Sequence, residues 1–334
     1  MKRILPNSFI ALITVALFIS MFVVNCKKGD DPVKYSKGTF PDTVLNLKGM
    51  NSEFDDYNTS AYELAGELSL IFSSNRTSHG TQFDLEQGVI TFVFDQTNGD
   101  FDLFSRMSND PFVDTLIKTA NTPKNDLGPY RCYNSYDGYE YLVLASENNT
   151  GNLDLMYCKN IPQYGTVIPV VNGPYPVKLL DTGFDDAYFC FDLNQDSAYF
   201  ISNPEGNFDI YFKSRPDGKD IGEWFDSDYA PSVKVDSINS PYDDKCPMIY
   251  GKLMVFASNR PGGLGGYDLY YSEFRNGNWN SPVNFGPKVN SISDDYRPLI
   301  GYYDNFTNYY MIFSSNREGS MGGFDLWFTG FEAN

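Results

Sequence analysis

Two short signatures recur five times along this chain of 334 residues, always in the same order. In the first signature, Asn or Asp is followed five residues later by an aspartate. These aspartates are Asp56, Asp126, Asp186, Asp244 and Asp295. In the second signature, a short apolar strand ends in a Ser-Asn-type turn, as in Ile71–Arg76, and an aromatic residue or Leu, then Asp, then Leu or Ile follow. The aspartates of this second signature are Asp84, Asp154, Asp209, Asp268 and Asp325. Self-similarity of this kind predicts a repeat protein.

The composition of each repeat predicts a propeller blade. The aspartates that begin the repeats are 70, 60, 58 and 51 residues apart, which leaves room for four short strands in each unit. In the fourth unit these strands are expected at 247–250, 253–257, 267–272 and 282–285, separated by Gly-rich turns. Four antiparallel strands in a unit of this length are typical of propellers, and a closed ring protects the sheet edges that a linear array leaves bare.

An N-terminal strand is expected to close the ring. Thr43–Leu47 precedes Asp56 just as Ser281–Phe285 precedes Asp295, with twelve residues from the valine to the aspartate in both cases. The last repeat has no fourth strand of its own, so the N-terminal strand completes it. The prediction is an all-β propeller of five four-stranded blades. A propeller of six blades is the alternative, because residues 89–94 and 101–106 predict an extra hairpin in the first repeat. In the same repeat, Phe101-Asp102-Leu103 is a second candidate for the motif that we assign to Asp84.

The N-terminal region is expected to be a targeting segment. A basic start and an apolar run at 9–24 precede Cys26, and this stretch resembles a bacterial lipoprotein signal with its lipidated cysteine. The charged residues after Cys26 resemble the surface-export signal of Bacteroidetes lipoproteins. We therefore expect a signal peptide at 1–25, a lipidated tether at 26–41 and the propeller at 42–334. The resemblance implies an outer-membrane lipoprotein on the periplasmic face or the cell surface.

The charge balance excludes several partners. The chain has 43 acidic and 25 basic residues, a net charge of −18, which argues against a nucleic-acid binder. Attachment to a membrane is accordingly expected through the lipid on Cys26 and not through the folded surface. The chain has a single histidine, His79, which argues against a Ser-His or Cys-His catalytic pair and against a metal site built from several histidines. We expect a monomeric propeller with no cofactor, and calcium is the one cation that the sequence leaves open.

The fourth and fifth repeats resemble a known family most closely. Trp279–Gly286, Asp294-Asp295, Phe313–Arg317 and Gly322–Leu326 look like the PD40, or WD40-like, β-propeller repeat, which also forms the propeller of TolB. The resemblance covers about residues 42–334. It implies the propeller fold, an envelope compartment and protein–protein contact, but it implies no reaction.

The repeated aspartates are the main candidate site residues. Asp56, Asp126, Asp186, Asp244 and Asp295 each come just before the first strand of a blade, so they are candidates for an acidic ring at one mouth of the central channel. Such a ring favours a cation, arginine partners such as Arg131 or Arg297, or a basic ligand. The alternative is that they are turn residues facing solvent. For the second set, Asp84 to Asp325, we expect hydrogen bonds to backbone at the turn.

The sequence thus favours a non-catalytic binding scaffold in the cell envelope, with an envelope protein or a glycan as partner. The alternative is a carbohydrate-binding or glycoside-hydrolase-like propeller that acts in the central pocket. That chemistry needs two carboxylates, one with a raised pKa, and no acid outside the repeat pattern suggests itself. Aromatic residues such as Trp279, Tyr229 and Tyr302 are candidates for stacking on sugars or anchoring a partner. Among the cysteines, only the pair Cys132–Cys190 merits consideration as a disulfide.

Overall fold

The computed structural model describes residues 33–64, 67–160 and 170–332, which form five antiparallel sheets arranged as blades. Strand β1 (Leu45–Asn46) belongs to the last blade. Blade one contains β2 (Asp56–Leu64), β3 (Glu67–Ser74), β4 (Asp84–Phe94) and β5 (Phe101–Met107). Blade two contains β6 (Asp126–Tyr133), β7 (Glu140–Glu147), β8 (Leu153–Asn160) and β9 (Asn172–Pro176). Blade three contains β10 (Asp186–Phe191), β11 (Ser197–Ser202), β12 (Asp209–Ser214) and β13 (Val233–Lys234).

The last two blades carry the strongest repeats. Blade four contains β14 (Asp244–Tyr250), β15 (Leu253–Ser258), β16 (Asp268–Arg275), the short β17 (Asn278–Trp279) and β18 (Val283–Asn284). Blade five contains β19 (Asp295–Tyr302), β20 (Tyr309–Ser315), β21 (Asp325–Phe331) and β1. Outside the sheets, the described residues form two helices, α1 (Pro111–Ala120) and α2 (Ile221–Phe225), and a 3-10 turn at Lys178–Leu180. The predicted all-β propeller is confirmed.

Both the ring closure and the number of blades follow from strand pairing. Strand β1 pairs antiparallel with β21, with Leu45 opposite Phe328, so the N-terminal strand completes the last blade as predicted. The hairpin that suggested a sixth blade is instead the outer half of blade one, because β4 pairs with both β3 and β5. Asp84 faces Ser74 across β3 and β4, just as Asp154 faces Ser146, so the motif of blade one is at Asp84 and not at Asp102.

The second strand of each blade forms the middle of the core. In β3 the side chains of Leu70, Ile71 and Phe72 are fully buried, which explains its unbroken apolar sequence. The helix α1 packs Val113, Leu116 and Ile117 into this core, and Asp110 caps it by accepting hydrogen bonds from the backbone of residues 112 and 113.

The N-terminal segment joins the core earlier than the predicted boundary at residue 42. Phe40 is fully buried, with its ring stacked on that of Phe306 at a centroid distance of 3.8 Å. The predicted signal peptide at 1–25 and Cys26 lie outside the described residues, as does the first part of the predicted tether. Within the described ranges, no helix has the length and apolar character needed to cross a bilayer.

The cysteines of the blades are buried free thiols: Cys132, Cys158, Cys190 and Cys246. The pairing of Cys132 with Cys190 that the sequence left for consideration is therefore not formed. Burial raises the pKa of the Cys158 and Cys190 thiols to about 12 and that of Cys246 to about 11, so all three are protonated at neutral pH.

Candidate functional site

The first strand of each blade lines the centre of the ring, since β2, β6, β10, β14 and β19 pack against one another in turn. Each of these strands has a bulge at its third residue, where the backbone adopts a left-handed conformation with φ between 46° and 60°. The five bulged residues are Asn58, Gly128, Tyr188, Cys246 and Arg297. None of the five is a carboxylate. The sequence comparison did not single out this position, because its residue type differs in every blade.

Aromatic and polar side chains fill the axis at this level. The side chains of Tyr57 and Tyr188 lie close to each other across the ring, and the ring of Tyr188 contacts that of Tyr296 at 6.0 Å. Burial raises the pKa of all three phenols. Arg297, only 2% exposed, reaches from blade five to the backbone carbonyl of Pro129 in blade two, 3.1 Å away. Side chains of several blades therefore meet at the centre of the propeller.

The five aspartates of the predicted acidic ring lie at the start of these strands, but each is buried and hydrogen-bonded within its own blade. Asp56 accepts hydrogen bonds from the backbone N–H of Ser52 at 2.6 Å and from the Ser74 hydroxyl, and it forms an ion pair with Arg76. Arg260 pairs with Asp244 in the same way, and Arg317 pairs with Asp295. The first aspartates of blades one, four and five thus have arginine partners, as expected. These arginines belong to the Ser-Asn-Arg turns, however, and are not Arg131 or Arg297.

Blades two and three lack this arginine. Asn148 and Pro204 occupy the corresponding positions, and the aspartates depend on threonines: Thr122 donates to Asp126, and Thr182 donates to Asp186. Without a cation beside them, desolvation by burial raises the pKa of Asp126 to about 6 and that of Asp186 to about 7, although the hydrogen bonds oppose the shift. These raised pKa values arise from the architecture of the blade.

The remaining motif residues connect the turns and the blades. The residue before each buried aspartate accepts a hydrogen bond from the backbone of the preceding blade, as when Asp243 accepts from the N–H of Phe208 at 2.9 Å. In the second motif, Asp268 accepts from the backbone N–H groups of Leu264 and Gly265, as expected, and Asp325 does the same in blade five. In the other blades the partners are side chains: Gln82 for Asp84, Asn148 for Asp154 and Lys234 for Asp209.

A metal site is not apparent at these aspartates. Within the part of the chain that the structure describes, no group of three or more His, Cys, Asp or Glu side chains is arranged to hold a metal ion. The Asp192–Asp196 segment, which has alternating oxygen ligands, forms a hairpin turn in which the Asp192 carboxylate accepts from the backbone of Asp196 and Ser197. A calcium ion bound elsewhere stays a prediction.

A cavity of about 640 Å³ lies away from the axis, between blades three and four. Its aromatic lining comes from Tyr199 and Phe212 of blade three and from Phe274 and Trp279 of blade four. The rings of Tyr199 and Phe212 are stacked at 5.7 Å, Trp279 meets Tyr199 edge-on at 6.3 Å, and Phe274 meets Trp279 at 5.1 Å. Phe274 is 36% exposed, so part of its ring is available to a ligand. The sequence had named Trp279 as a candidate for stacking, but not the other three.

Polar side chains surround this aromatic floor: Asp192, Lys234, Asp236, Ser237 and Asn278. Burial raises the pKa of Asp192, opposed by its hydrogen bonds to the backbone of Ser197 and Asp196, whereas Asp236 is exposed to solvent. The cavity thus combines aromatic faces with carboxylate and amide groups, which are able to form hydrogen bonds with the hydroxyl groups of a ligand such as a sugar.

The fold has many solved counterparts, although no family model matches the chain and no curated protein matches its sequence. A thermostable family-43 glycoside hydrolase is similar with a TM-score of 0.53 and 12% identity, over 86% of this chain and 93% of that one. An endo-arabinase from Bacteroides thetaiotaomicron is similar with a TM-score of 0.51 and 10% identity, over 87% and 97%. An α-L-arabinofuranosidase from Lactobacillus brevis has a TM-score of 0.51 and 9% identity, over 84% and 92%.

These comparisons define the class as a five-bladed propeller with the fold found in family-43 glycoside hydrolases, and they correct two expectations. The resemblance to PD40, WD40-like and TolB-like repeats is wrong, because no family model supports it and the similar structures are glycosidase propellers. The expectation that the chain is not an enzyme is contradicted as well, since the similar propellers are glycosidases. The repeats misled because their aspartates stabilise the turns of the blades, as Asp56 and Asp268 do, and a residue with that structural role identifies neither a family nor a function.

Proposed function

We propose that this protein is a carbohydrate-binding propeller whose sugar site is the cavity between blades three and four. The observation that carries the proposal is the cluster of four aromatic rings with carboxylate and amide groups at its edge. Aromatic rings stack on the apolar faces of sugars, and the polar groups bind hydroxyls. The likeness to an arabinase, an arabinofuranosidase and, with a TM-score of 0.50, a β-xylosidase makes arabinose- and xylose-containing oligosaccharides the first ligands to test.

The binding test uses calorimetric titration with arabinan and xylan oligosaccharides. Phe274→Ala removes the most exposed ring of the cavity, and we expect a loss of affinity of about tenfold, which corresponds to about 1.4 kcal/mol. Phe104→Ala is the matched control, because Phe104 is 60% exposed on blade one and does not line the cavity. Equal affinity of the Phe274→Ala variant and the wild type would contradict this site, and binding of none of the glycans would contradict the function.

Hydrolysis of the bound glycan is a second candidate function, favoured by the two carboxylates that line the cavity. Asp192 has a raised pKa because it is desolvated, and Asp236 is exposed, so the pair has the difference in environment that separates a general acid from a base or nucleophile. The test is the release of reducing sugar from arabinan and xylan. Asp192→Asn and Asp236→Asn should abolish it while binding persists. Release that both variants retain would exclude these residues as the catalytic pair.

A further inference from the structure

The strongest unassigned feature is Arg297, at the bulge of the first strand of blade five. Its side chain crosses the axis: one terminal nitrogen, Nη2, donates to the carbonyl of Pro129 at 3.1 Å, and the guanidinium lies 5.4 Å from the ring centre of Tyr188. The charged group therefore contacts blades two and three from blade five. It is only 2% exposed, so bulk water does not solvate it.

This buried charge has no counter-ion among the described residues. Nε and Nη1 of Arg297 have no hydrogen-bond partner there, and none of the ion pairs formed by the described arginines and lysines includes it. The ionisable groups nearby are thiols and phenols, including Cys190, Cys246 and Tyr188, and all are protonated at neutral pH. A buried cation without a partner is strongly destabilising, so we expect a negative charge beside it.

Asn58 provides a second, independent observation. It occupies the bulge position of blade one, next to blade five in the ring, and it is fully buried. Its side-chain nitrogen and oxygen have no partner within hydrogen-bonding distance among the described residues, and the side chain of the adjacent Tyr57 lies close to them. Two neighbouring innermost strands thus each place an unsatisfied buried polar side chain at the same level of the ring. Buried polar groups of this kind are nearly always satisfied in folded proteins.

We propose that the axis of the propeller binds one small inorganic anion of the size of chloride, held by Arg297 through Nε and Nη1 and by the side-chain amide of Asn58. A guanidinium group attracts anions and repels cations, so the charge of the ligand is determined. Its size is limited because the rings of Tyr188 and Tyr296 pack against each other at 6.0 Å beside Arg297. Because this anion balances a charge that touches three blades, it stabilises the closed ring.

The first test measures thermal unfolding of the full chain in sodium chloride and in sodium gluconate at equal ionic strength. We expect the wild type to unfold at a temperature that rises with chloride and saturates, as for a ligand that binds only the folded state. Arg297→Met removes the charge and should remove this dependence. Arg317→Met is the matched control: it breaks the ion pair with Asp295 and lowers stability, but it should keep the response to chloride.

The second test does not depend on whether the variants fold. Crystals of the wild-type protein grown in bromide should show an anomalous peak within hydrogen-bonding distance, about 3.3 Å, of Nε or Nη1 of Arg297. Bromide peaks confined to the protein surface would overturn the proposal. So would equal unfolding temperatures in chloride and gluconate, or a chloride response that persists in Arg297→Met.

Discussion

A carboxylate oxygen of Asp55 accepts a hydrogen bond of 2.7 Å from the backbone N–H of Phe324, which lies 269 residues further along the chain. This bond joins blade one to blade five. It is accompanied by a second bond, also 2.7 Å, from the N–H of Asp56 to the carbonyl of Phe324. The same pair of bonds joins blade one to blade two through Phe83, where Asn125 stands in place of Asp55. The ring is therefore closed by the same contact that connects its consecutive blades.

We predict that Asp55→Ala weakens this closure. The variant leaves the N–H of Phe324 without its acceptor, and an unsatisfied buried donor costs about 1–3 kcal/mol of the free energy of unfolding. Asp55→Asn is the control, because Asn125 accepts the equivalent bond from Phe83 at 2.9 Å through its amide oxygen. Urea unfolding measures both variants. Equal stability of the alanine and asparagine variants would show that the side-chain acceptor contributes nothing to closure.

A second prediction concerns the arginine of the Ser-Asn-Arg turn. Arg260→Met removes the ion pair to Asp244, a fully buried carboxylate that then keeps only its bonds to Ser240. We expect a loss of about 1–3 kcal/mol in the free energy of unfolding at neutral pH.

The control for this variant is the double change Arg260→Met with Asp244→Asn. Removing the charge together with its partner should restore part of the stability, since the cost comes mainly from leaving a charge buried and unpaired. Urea unfolding at neutral pH measures both variants. A double variant less stable than Arg260→Met alone would contradict this account.

The sequence predicted the architecture well because the residues that build it repeat. The buried aspartates, such as Asp186, and the residues before them, such as Asp243, make the same bonds in successive blades, so their spacing is invariant. The closing strand was also predictable, since β1 has to match the register of the other fourth strands. In contrast, the pairing of Arg260 with Asp244 was not predicted, because it requires knowing that Ser258 faces Asp244 across the sheet.

The candidate sugar site was less predictable, for a physical reason. The cavity depends on the β16–β17 hairpin, which places Trp279 against Tyr199 of the neighbouring blade and Phe274 against Trp279. These contacts do not recur in the other repeats, so the sequence pattern did not indicate them. The side chains at the axis were not predictable from the sequence either. Tyr188 and Arg297 occupy equivalent positions in their blades, at the bulge of the first strand, but their side chains have no chemical feature in common.

A third prediction concerns the lipid anchor proposed at Cys26. If Cys26 carries the acyl chains, cells grown with radiolabelled palmitate should label the wild type, and Cys26→Ala should remove both the label and the membrane attachment. Cys132→Ala is the control, because Cys132 is a buried thiol of blade two and its loss should leave the label unchanged. A wild type without label, or a label that survives in Cys26→Ala, would contradict the anchor.

The last prediction concerns pH and the aspartate of blade three. The pKa of Asp186 is about 7 in the folded protein because the carboxylate is desolvated and has no arginine beside it, compared with an ordinary value of 3.8. Between pH 3.8 and about pH 7, Asp186 holds a proton in the folded state that it has released in the unfolded chain. The free energy of unfolding should therefore fall as the pH rises from about 4 to about 7, and then level off.

Asp186→Asn keeps an acceptor for Thr182 but cannot ionise, so it should be more stable than the wild type at pH 7. The same change at Asp126, whose pKa is about 6, should give a smaller gain that is complete near pH 6. Urea unfolding at several pH values measures the difference between each variant and the wild type, which isolates the contribution of the one carboxylate. Curves that stay parallel from pH 4 to pH 8 would show that Asp186 ionises at its ordinary pKa in the folded protein.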